Sequence, residues 1–386
     1  MTLRVLSIFG TRPEAVKMAP VVQALSRTPQ VDSRVCVTAQ HRQMLDQVLD
    51  LFNIHPDIDL DLMKPDQDLA SLTAAIITHL DPVLADMKPD WILVQGDTTT
   101  VMAAALVAFY RRIRVGHVEA GLRTNDKWQP YPEEINRRLA SVVTDLHFAP
   151  TDWARQNLLH ENIPAAKVIV TGNPVIDALQ MVARMPLPMA VVELFRNIGV
   201  SIKEDPSISV PGEPRLILVT AHRRENFGQP LEDICAALIE LIEIYKDNLR
   251  IIYPVHLNPN VQRPVHRLLD GIPNITLLEP LDYLPMVHLM KHASLVLTDS
   301  GGLQEEAPAF GKPVLVMRQV TERPEGVQAG TVRLVGTHPG TIVNEVRRLL
   351  DDPIAYSAMA QSINPYGDGQ AAMRIVNAIL HADINA

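Results

Sequence analysis

"WILVQGDTTT", Trp91–Thr100, carries an apolar run of four residues into a glutamine, a glycine, a carboxylate and three threonines. An apolar run this short, bounded by turn chemistry, reads as a buried strand, and the polar cluster after it marks where that strand leaves its sheet. Asp97 is then either a cap for a helix starting at Thr98 or a chemical group presented at the end of the strand. The same grammar recurs along the chain. "LRVLSIFG", "RVCVTAQ", "RVGHVEAG", "LHFAPT" and "VIVTGN" repeat it in the first half. "RLILVTAH", "LRIIYPVH", "ITLLEP", "SLVLTDSG", "PVLVM" and "VRLVG" repeat it in the second, with helical patterns between the runs. Strands alternating with helices predict an α/β fold with parallel sheets, and each half holds enough of them for a doubly wound sheet of its own.

At 386 residues the chain exceeds what one core usually serves. The expected division is a first domain over 1–185, a linker region over 186–214 and a second domain over 215–365. The linker region holds five prolines and the charged stretch "IKEDP", with room for a short helix around Val191 to Asn197. The closing stretch "NPYGDGQAAMRIVNAIL" breaks at Pro365 and Gly367 before one last amphipathic helix, so 366–386 can pack on either domain.

Composition narrows the partners. A net charge of -9 argues against nucleic acid, which calls for cations spread over a face, and leaves room for a small anionic ligand held by local arginines. Cys36 and Cys235 lie far apart in apolar surroundings and fit neither a disulfide framework nor a metal-ligand spacing. Both read as buried thiols in a reducing compartment. No secretory pattern opens the sequence, and no stretch approaches the roughly 20 apolar residues of a membrane helix. The expectation is a cytoplasmic protein with no membrane contact.

Ligands of open α/β sheets bind beyond the carboxyl ends of the strands, so the polar residues after each run carry the most weight. In a chain of two domains they would face each other across a cleft. "GTRPEAVKMAP" follows the first run, with Pro13 suited to a helix start and Arg12 and Lys17 adding positive charge beside it. The plainer alternative pairs Glu14 with Lys17 on the surface, worth roughly 0.2–0.5 kcal/mol. In "TDSGGLQEEAPAFGKP", Ser300, Gly301 and Gly302 let a phosphate approach backbone N–H groups, and Glu306 lies one turn further on. "TAHRRENFG" puts His222, Arg223 and Arg224 side by side at a strand end, a pattern that suits a pyrophosphate. Three carboxylates remain: Asp97, Glu119 in "GHVEAGLRT" and Glu133 in "YPEEINRR". If neighbouring strands pair, Asp97 and Glu119 share a rim. Glu133 and Glu134 could simply suit a first helical turn, but Glu119 between Val118 and Ala120 would be costly to bury unpaired. The nicotinamide fingerprint is missing, because the near match "GDGQAA" has no strand before it, and Gly311 and Lys312 lack the earlier glycine of a phosphate loop.

Taken together, "GTRPEAVKMAP", "TAQHRQMLDQ", "GDTTT", "GHVEAGLRT", "PEEINRR", "TAHRRENFG", "TDSGGLQEEAP", "TERPE" and "NPYGDG" resemble the non-hydrolysing UDP-N-acetylglucosamine 2-epimerases, from about Arg4 to about Leu380. The resemblance implies two Rossmann-like domains in a GT-B-type arrangement, with the last helix crossing back to the first domain, and a homodimer. It implies interconversion of UDP-GlcNAc and UDP-ManNAc by loss and return of UDP, with no cofactor and no required metal, in the service of polysaccharide biosynthesis. Acid and base work would fall to Asp97, Glu119 and Glu133. Arg12, Lys17 and His222 would hold substrate or the departing diphosphate, with His222 counted in the catalytic set. Ser300, Gly301, Gly302, Glu306 and Arg323 would bind the nucleotide. A second UDP-GlcNAc, as an allosteric activator, would meet Gln40, His41, Gln43 and His256. Two departures stand out: Asp66 replaces a residue that is commonly basic, and Met286 replaces one that is commonly aromatic near the uracil. The alternatives are a hydrolysing relative that releases ManNAc, an epimerase of a differently substituted UDP-sugar, a glycosyltransferase, and a non-catalytic sensor. A glycosyltransferase of this fold would carry an E-x7-E pair, but 313 and 314 are proline and valine.

Overall fold

The structure is a computed structural model and describes residues 2–38, 42–62, 67–202 and 212–384. It divides into two compact units, Met1–Met181 with Tyr366–Ala386, and Val182–Pro365.

The first unit holds a sheet of seven parallel strands: β1 (Leu3–Phe9), β2 (Val31–Val37), β3 (Ile58–Asp59), β4 (Trp91–Gln95), β5 (Arg114–Val118), β6 (Leu146–Ala149) and β7 (Val168–Val170). Their order is β3-β2-β1-β4-β5-β6-β7. The sequence order therefore reverses between β1 and β4, which opens a crevice at their carboxyl ends. Leu6, Ile8, Ile92, Val94 and Val115 are all fully buried. That explains why these strands read as continuous apolar runs: helices cover both faces of the sheet.

The second unit repeats the plan with six parallel strands: β8 (Arg215–Thr220), β9 (Leu249–Pro254), β10 (Ile275–Leu278), β11 (Leu295–Thr298), β12 (Val314–Val316) and β13 (Val332–Leu334). The order is β10-β9-β8-β11-β12-β13, so its own reversal falls between β8 and β11. Ile217, Val219, Ile251, Leu295, Leu297 and Leu315 form the centre of its core.

Every apolar run quoted above forms a strand, and both sheets are parallel and doubly wound. The structure adds β3, whose two residues pair with Cys36 and Val37 and offer no apolar run to read. The stretch 186–214 is also more than a connection. Its helix Met189–Ile198 buries Val191 and Phe195 in the second unit. Phe195 lies 5.2 Å from the His292 ring, and Arg250 Nε donates to Ile198 O at 2.8 Å.

One expectation is corrected. The helix Leu69–Met87 runs for 19 residues at a mean hydropathy of 1.2, long and apolar enough by length and composition to cross a membrane. Polar residues such as Thr73, Thr78 and His79 interrupt the run, so its sequence does not read as one apolar stretch. The helix packs on the helix Thr99–Tyr110, yet only 17% of its apolar window is buried.

Candidate active site

The crevice of the first unit is built where β1, β4 and β5 end. Thr11 leads into the helix Arg12–Ser26, and Glu14, 2% exposed, turns back on that entry. Its carboxyl accepts from Gly10 N at 3.0 Å and Thr11 N at 2.7 Å. The other oxygen accepts from Thr98 Oγ1 at 2.6 Å, which ties the end of β1 to the end of β4. Burial pushes the Glu14 carboxyl above its ordinary value, against the pull of these hydrogen bonds. Glu14 is thus a structural brace, and the surface pair with Lys17 does not form. Lys17 Nζ reaches instead to Glu119, at 2.6 and 2.7 Å from its two oxygens.

Asp97 is not the helix cap. Thr98 takes that place, its hydroxyl accepting from Val101 N. Asp97 Oδ2 accepts from Arg137 Nη2 at 2.8 Å, and Asn136 Nδ2 donates to the Asp97 carbonyl at 3.0 Å. Both partners belong to the helix Glu133–Val143, whose first turn therefore abuts the end of β4. Glu133 is one turn ahead of Arg137 on the same helix face and half-buried, and its side chain makes no hydrogen bond or ion pair with a described residue. Its neighbour Glu134 has the structural role: fully buried, it accepts from Thr124 N at 3.1 Å and Arg138 Nε at 3.1 Å.

Glu119 lies just beyond β5, which pairs with β4, so it and Asp97 occupy adjacent strand ends. It is 6% exposed and has φ of +61°, the left-handed region that a side chain rarely adopts. Its carboxylate accepts from Lys17, from Asn173 Nδ2 at 2.9 Å and from Gln95 Nε2. A Cβ placed on Gly96 would lie 3.7 Å from Glu119 Oε2, which sets the carboxylate beside the Asp97 turn. Gly121 follows with φ of +93°, and a Cβ there would meet the Ala154 carbonyl at 2.2 Å, so glycine is required. Beneath the turn, the buried His117 ring bonds through Nε2 to Gly96 O at 2.7 Å. Burial lowers its pKa to about 4, so the ring is neutral and Nε2 carries the hydrogen that holds the Gly96–Asp97 turn. Arg12 is half-buried at the helix start.

In the second unit the crevice lies between β8 and β11, whose last residues, Thr220 and Thr298, share a hydroxyl hydrogen bond of 2.6 Å. Asp299, fully buried, accepts at Oδ2 from His222 N at 2.8 Å, Arg223 N at 2.8 Å and Asn226 Nδ2 at 3.0 Å. The His222 ring stacks on that of His256, with centroids 5.4 Å apart. Burial lowers the His222 pKa, with Asp299 pulling the other way. Ser300 N donates to Thr298 Oγ1 at 2.9 Å, and Ser300 is the N-cap of the helix Gly301–Glu306, which includes Gly302. The Arg323 guanidinium rests on Gly301, where an added Cβ would meet it at 2.7 Å, and its Nε donates to the buried Glu305. A side chain at 301 would make the guanidinium shift from this position.

Arg12, Lys17, Asp97, Glu119 and Glu133 thus belong to the strand-end region of the first unit, and His222, His256, Ser300, Gly301, Gly302, Glu306 and Arg323 to the second unit. Gln40, His41, the Gln43 side chain and Asp66 lie outside the described residues. Sequence reasoning misses Gln95, Arg137, Asn173 and Asp299, although Gln95, Asn173 and Asp299 sit at strand ends and the strand-end rule reaches all three. Among the described residues no group of three His, Cys, Asp or Glu side chains is arranged to hold a metal ion.

Comparison with known proteins follows the same lines. The model of a family described as UDP-N-acetylglucosamine 2-epimerase matches residues 23–380. The chain is 55% identical to the UDP-N-acetylglucosamine 2-epimerase of Salmonella typhimurium, covering 98% of both chains. It is 54% identical to that of Escherichia coli, again over 98% of both. Its fold is similar to the crystal structure of UDP-GlcNAc 2-epimerase from Neisseria meningitidis bound to UDP-GlcNAc, with a TM-score of 0.85 and 49% identity over 98% of this chain and 100% of that one.

Proposed function

The chain belongs to the family of UDP-N-acetylglucosamine 2-epimerases, and from that premise we propose that it interconverts UDP-GlcNAc and UDP-ManNAc by expelling and recapturing UDP, without releasing free sugar. The chemistry calls for this route. The C2 hydrogen has no carbonyl beside it and is barely acidic. Departure of UDP builds positive charge on the ring and makes that hydrogen removable. The C1–O electron pair leaves with the diphosphate, the C2–H pair becomes the C1–C2 double bond, and a carboxylate takes the proton. UDP then adds back to C1 of 2-acetamidoglucal while a proton reaches C2 from the opposite face.

Such a sequence needs more than one carboxyl group and a clamp for the diphosphate. Asp97, Glu119 and Glu133 supply the first. Arg12, Lys17 and His222 bear on the substrate and departing diphosphate, and Ser300, Gly301, Gly302, Glu306 and Arg323 hold the nucleotide. The observation that carries the reading is Glu119: a buried carboxylate in a left-handed backbone, gripped by Lys17, Gln95 and Asn173. Backbone in that region costs about 1–3 kcal/mol and persists where a function needs the side chain placed. The test is proton NMR of UDP-GlcNAc with the protein in D2O. UDP-ManNAc carrying deuterium at C2 is the expected product. Free ManNAc accumulating with UDP would replace the reading with hydrolysis, and unlabelled product would end it.

A homodimer completes the picture. The helices Leu69–Met87, Thr99–Tyr110 and Glu133–Val143 pack in a row and leave Leu69, Phe109, Tyr110, Ile135, Leu139 and Val142 exposed. A second copy would cover apolar residues such as Ile135, Leu139 and Val142, which share one face of the helix Glu133–Val143, and Leu139→Glu should shift the sedimentation coefficient from dimer to monomer. A second UDP-GlcNAc as activator rests on His256 alone among the described residues; initial rates that rise sigmoidally with substrate support it, and a plain hyperbola removes it. A cytoplasmic setting, supplying nucleotide-sugar for polysaccharide synthesis, agrees with Cys36 and Cys235, whose thiols burial pushes up to about 12 and keeps inert.

A further inference from the structure

We propose that Asp299 is a positioning residue that fixes the tautomer of His222, holding hydrogen on Nδ1 and presenting Nε2 as a proton acceptor. The inference deepens the role given to His222 above and rests on that reading for its chemistry.

Asp299 cannot turn away. Its backbone N–H donates to Thr220 O at 3.1 Å, and its Oδ2 is taken by two backbone N–H groups and the Asn226 amide. The remaining oxygen, Oδ1, is buried and has no hydrogen bond. A buried carboxylate oxygen without a donor keeps its full desolvation penalty, so the nearest donor is drawn to it. His222 Nδ1 lies 3.3 Å away, slightly long for a bond. Bonds at such sites are often loose in the free protein and tighten in the complex. The ring plane is set from its other side by His256, stacked with an interplanar angle of 14°. A ring with Nδ1–H toward Asp299 must carry its lone pair on Nε2.

The consequence is a conditional charge. The groups facing His222 are Asp299, Arg223 and His256, and burial keeps the ring neutral until an anion arrives. A lone pair on Nε2 repels a diphosphate oxygen, so the ring binds one by taking up a proton from the bulk solvent, one proton per anion bound. The imidazolium so formed is stabilised at once by Asp299 through a charge-assisted Nδ1–H bond. Nε2 then donates to the diphosphate as its charge grows on leaving C1.

The decisive measurement is nitrogen NMR of histidine-labelled protein, with His222→Asn identifying the resonance. The expected spectrum of the free protein near neutral pH shows His222 with a protonated Nδ1 and a pyridine-like Nε2. The opposite tautomer overturns the proposal, whatever the activity. Asp299→Asn keeps the backbone contacts but turns an amide N–H toward the ring, forcing the hydrogen to Nε2. It should lower kcat by about 10²–10⁴-fold with KM little changed, and adding His222→Asn should cost little more because the two act as a unit. Losses that multiply in the double variant overturn the proposal. Absence of deuterium in the epimerisation assay would instead remove the function assigned above, leaving the tautomer to be judged by NMR.

Discussion

Replacing Lys17 by methionine isolates a largely buried ion pair of the first unit. The ammonium lies 2.6 Å from one Glu119 oxygen and 2.7 Å from the other. The Glu119 side chain is 5% exposed and that of Lys17 18%. Removing one partner of a buried pair costs roughly 3–5 kcal/mol, because the other charge is left uncompensated. Gln95 and Asn173 continue to donate to Glu119, and the lysine is partly solvated, so the low end applies: about 3 kcal/mol. Taking the charge away as well should return most of it, and Lys17→Met with Glu119→Gln should lie about 1–2 kcal/mol below the wild type. The molecule carries its own reporter. All three tryptophans, Trp91, Trp128 and Trp153, lie in the first unit, so their fluorescence in urea follows that unit alone. The expected signature is a lower midpoint at unchanged slope for Lys17→Met, partly restored in the double variant. A single variant within about 0.5 kcal/mol of the wild type, or losses that simply add, would refute the argument.

Asp97→Asn should reduce turnover by at least about 10²-fold while UDP binding, followed by calorimetry, stays largely intact; loss of both in a folded protein would return Asp97 to a structural role. Gly121→Ala places a methyl group 2.2 Å from the Ala154 carbonyl and should cost about 3 kcal/mol or more, with activity falling too because Glu119 is two residues away. A thermal scan and a rate measurement check both. Burial lowers the pKa of His147 to about 3 and that of His117 to about 4. The unfolded chain then binds protons that the folded one refuses. The stability these rings contribute is present above the unfolded value near 6.5 and is lost as pH falls towards the folded values. Each adds a slope of about 1.4 kcal/mol per pH unit in that window. His147→Leu should remove one such slope, and urea midpoints at pH 7 and 5 that respond to pH as in the wild type would contradict this.

The strands were legible because burial on both faces leaves an apolar run with no alternation to confuse it, and a strand end is a place where polarity changes abruptly. Asp97 and Glu119 were readable for that reason, and so in principle were Gln95 and Asn173, uncharged amides that look like ordinary turn residues until a carboxylate is seen beside them. Helix phase was harder. "EEINRR" offers two acids and two arginines, and only the rotation of the helix assigns Glu134 to the interior and Arg137 to Asp97. β3 escaped because a two-residue strand has no pattern of its own. The exposed face of Leu69–Met87 escaped because sequence alone cannot say what a helix leaves uncovered.

Asn173 N donates to the Tyr366 carbonyl at 2.7 Å, and Asp177 accepts the N–H groups of Ala371 and Ala372 at 3.2 and 2.9 Å. The last helix, Ala371–Ile384, lies against the first, Arg12–Ser26. On the ribosome, the whole of Val182–Pro365 must be made before that closing piece exists, roughly 10–40 s at ordinary rates of translation. A nascent chain stalled short of Tyr366 therefore leaves the Arg12–Ser26 helix without the helix that packs on it, which makes that interval the period when chaperones have most to shield.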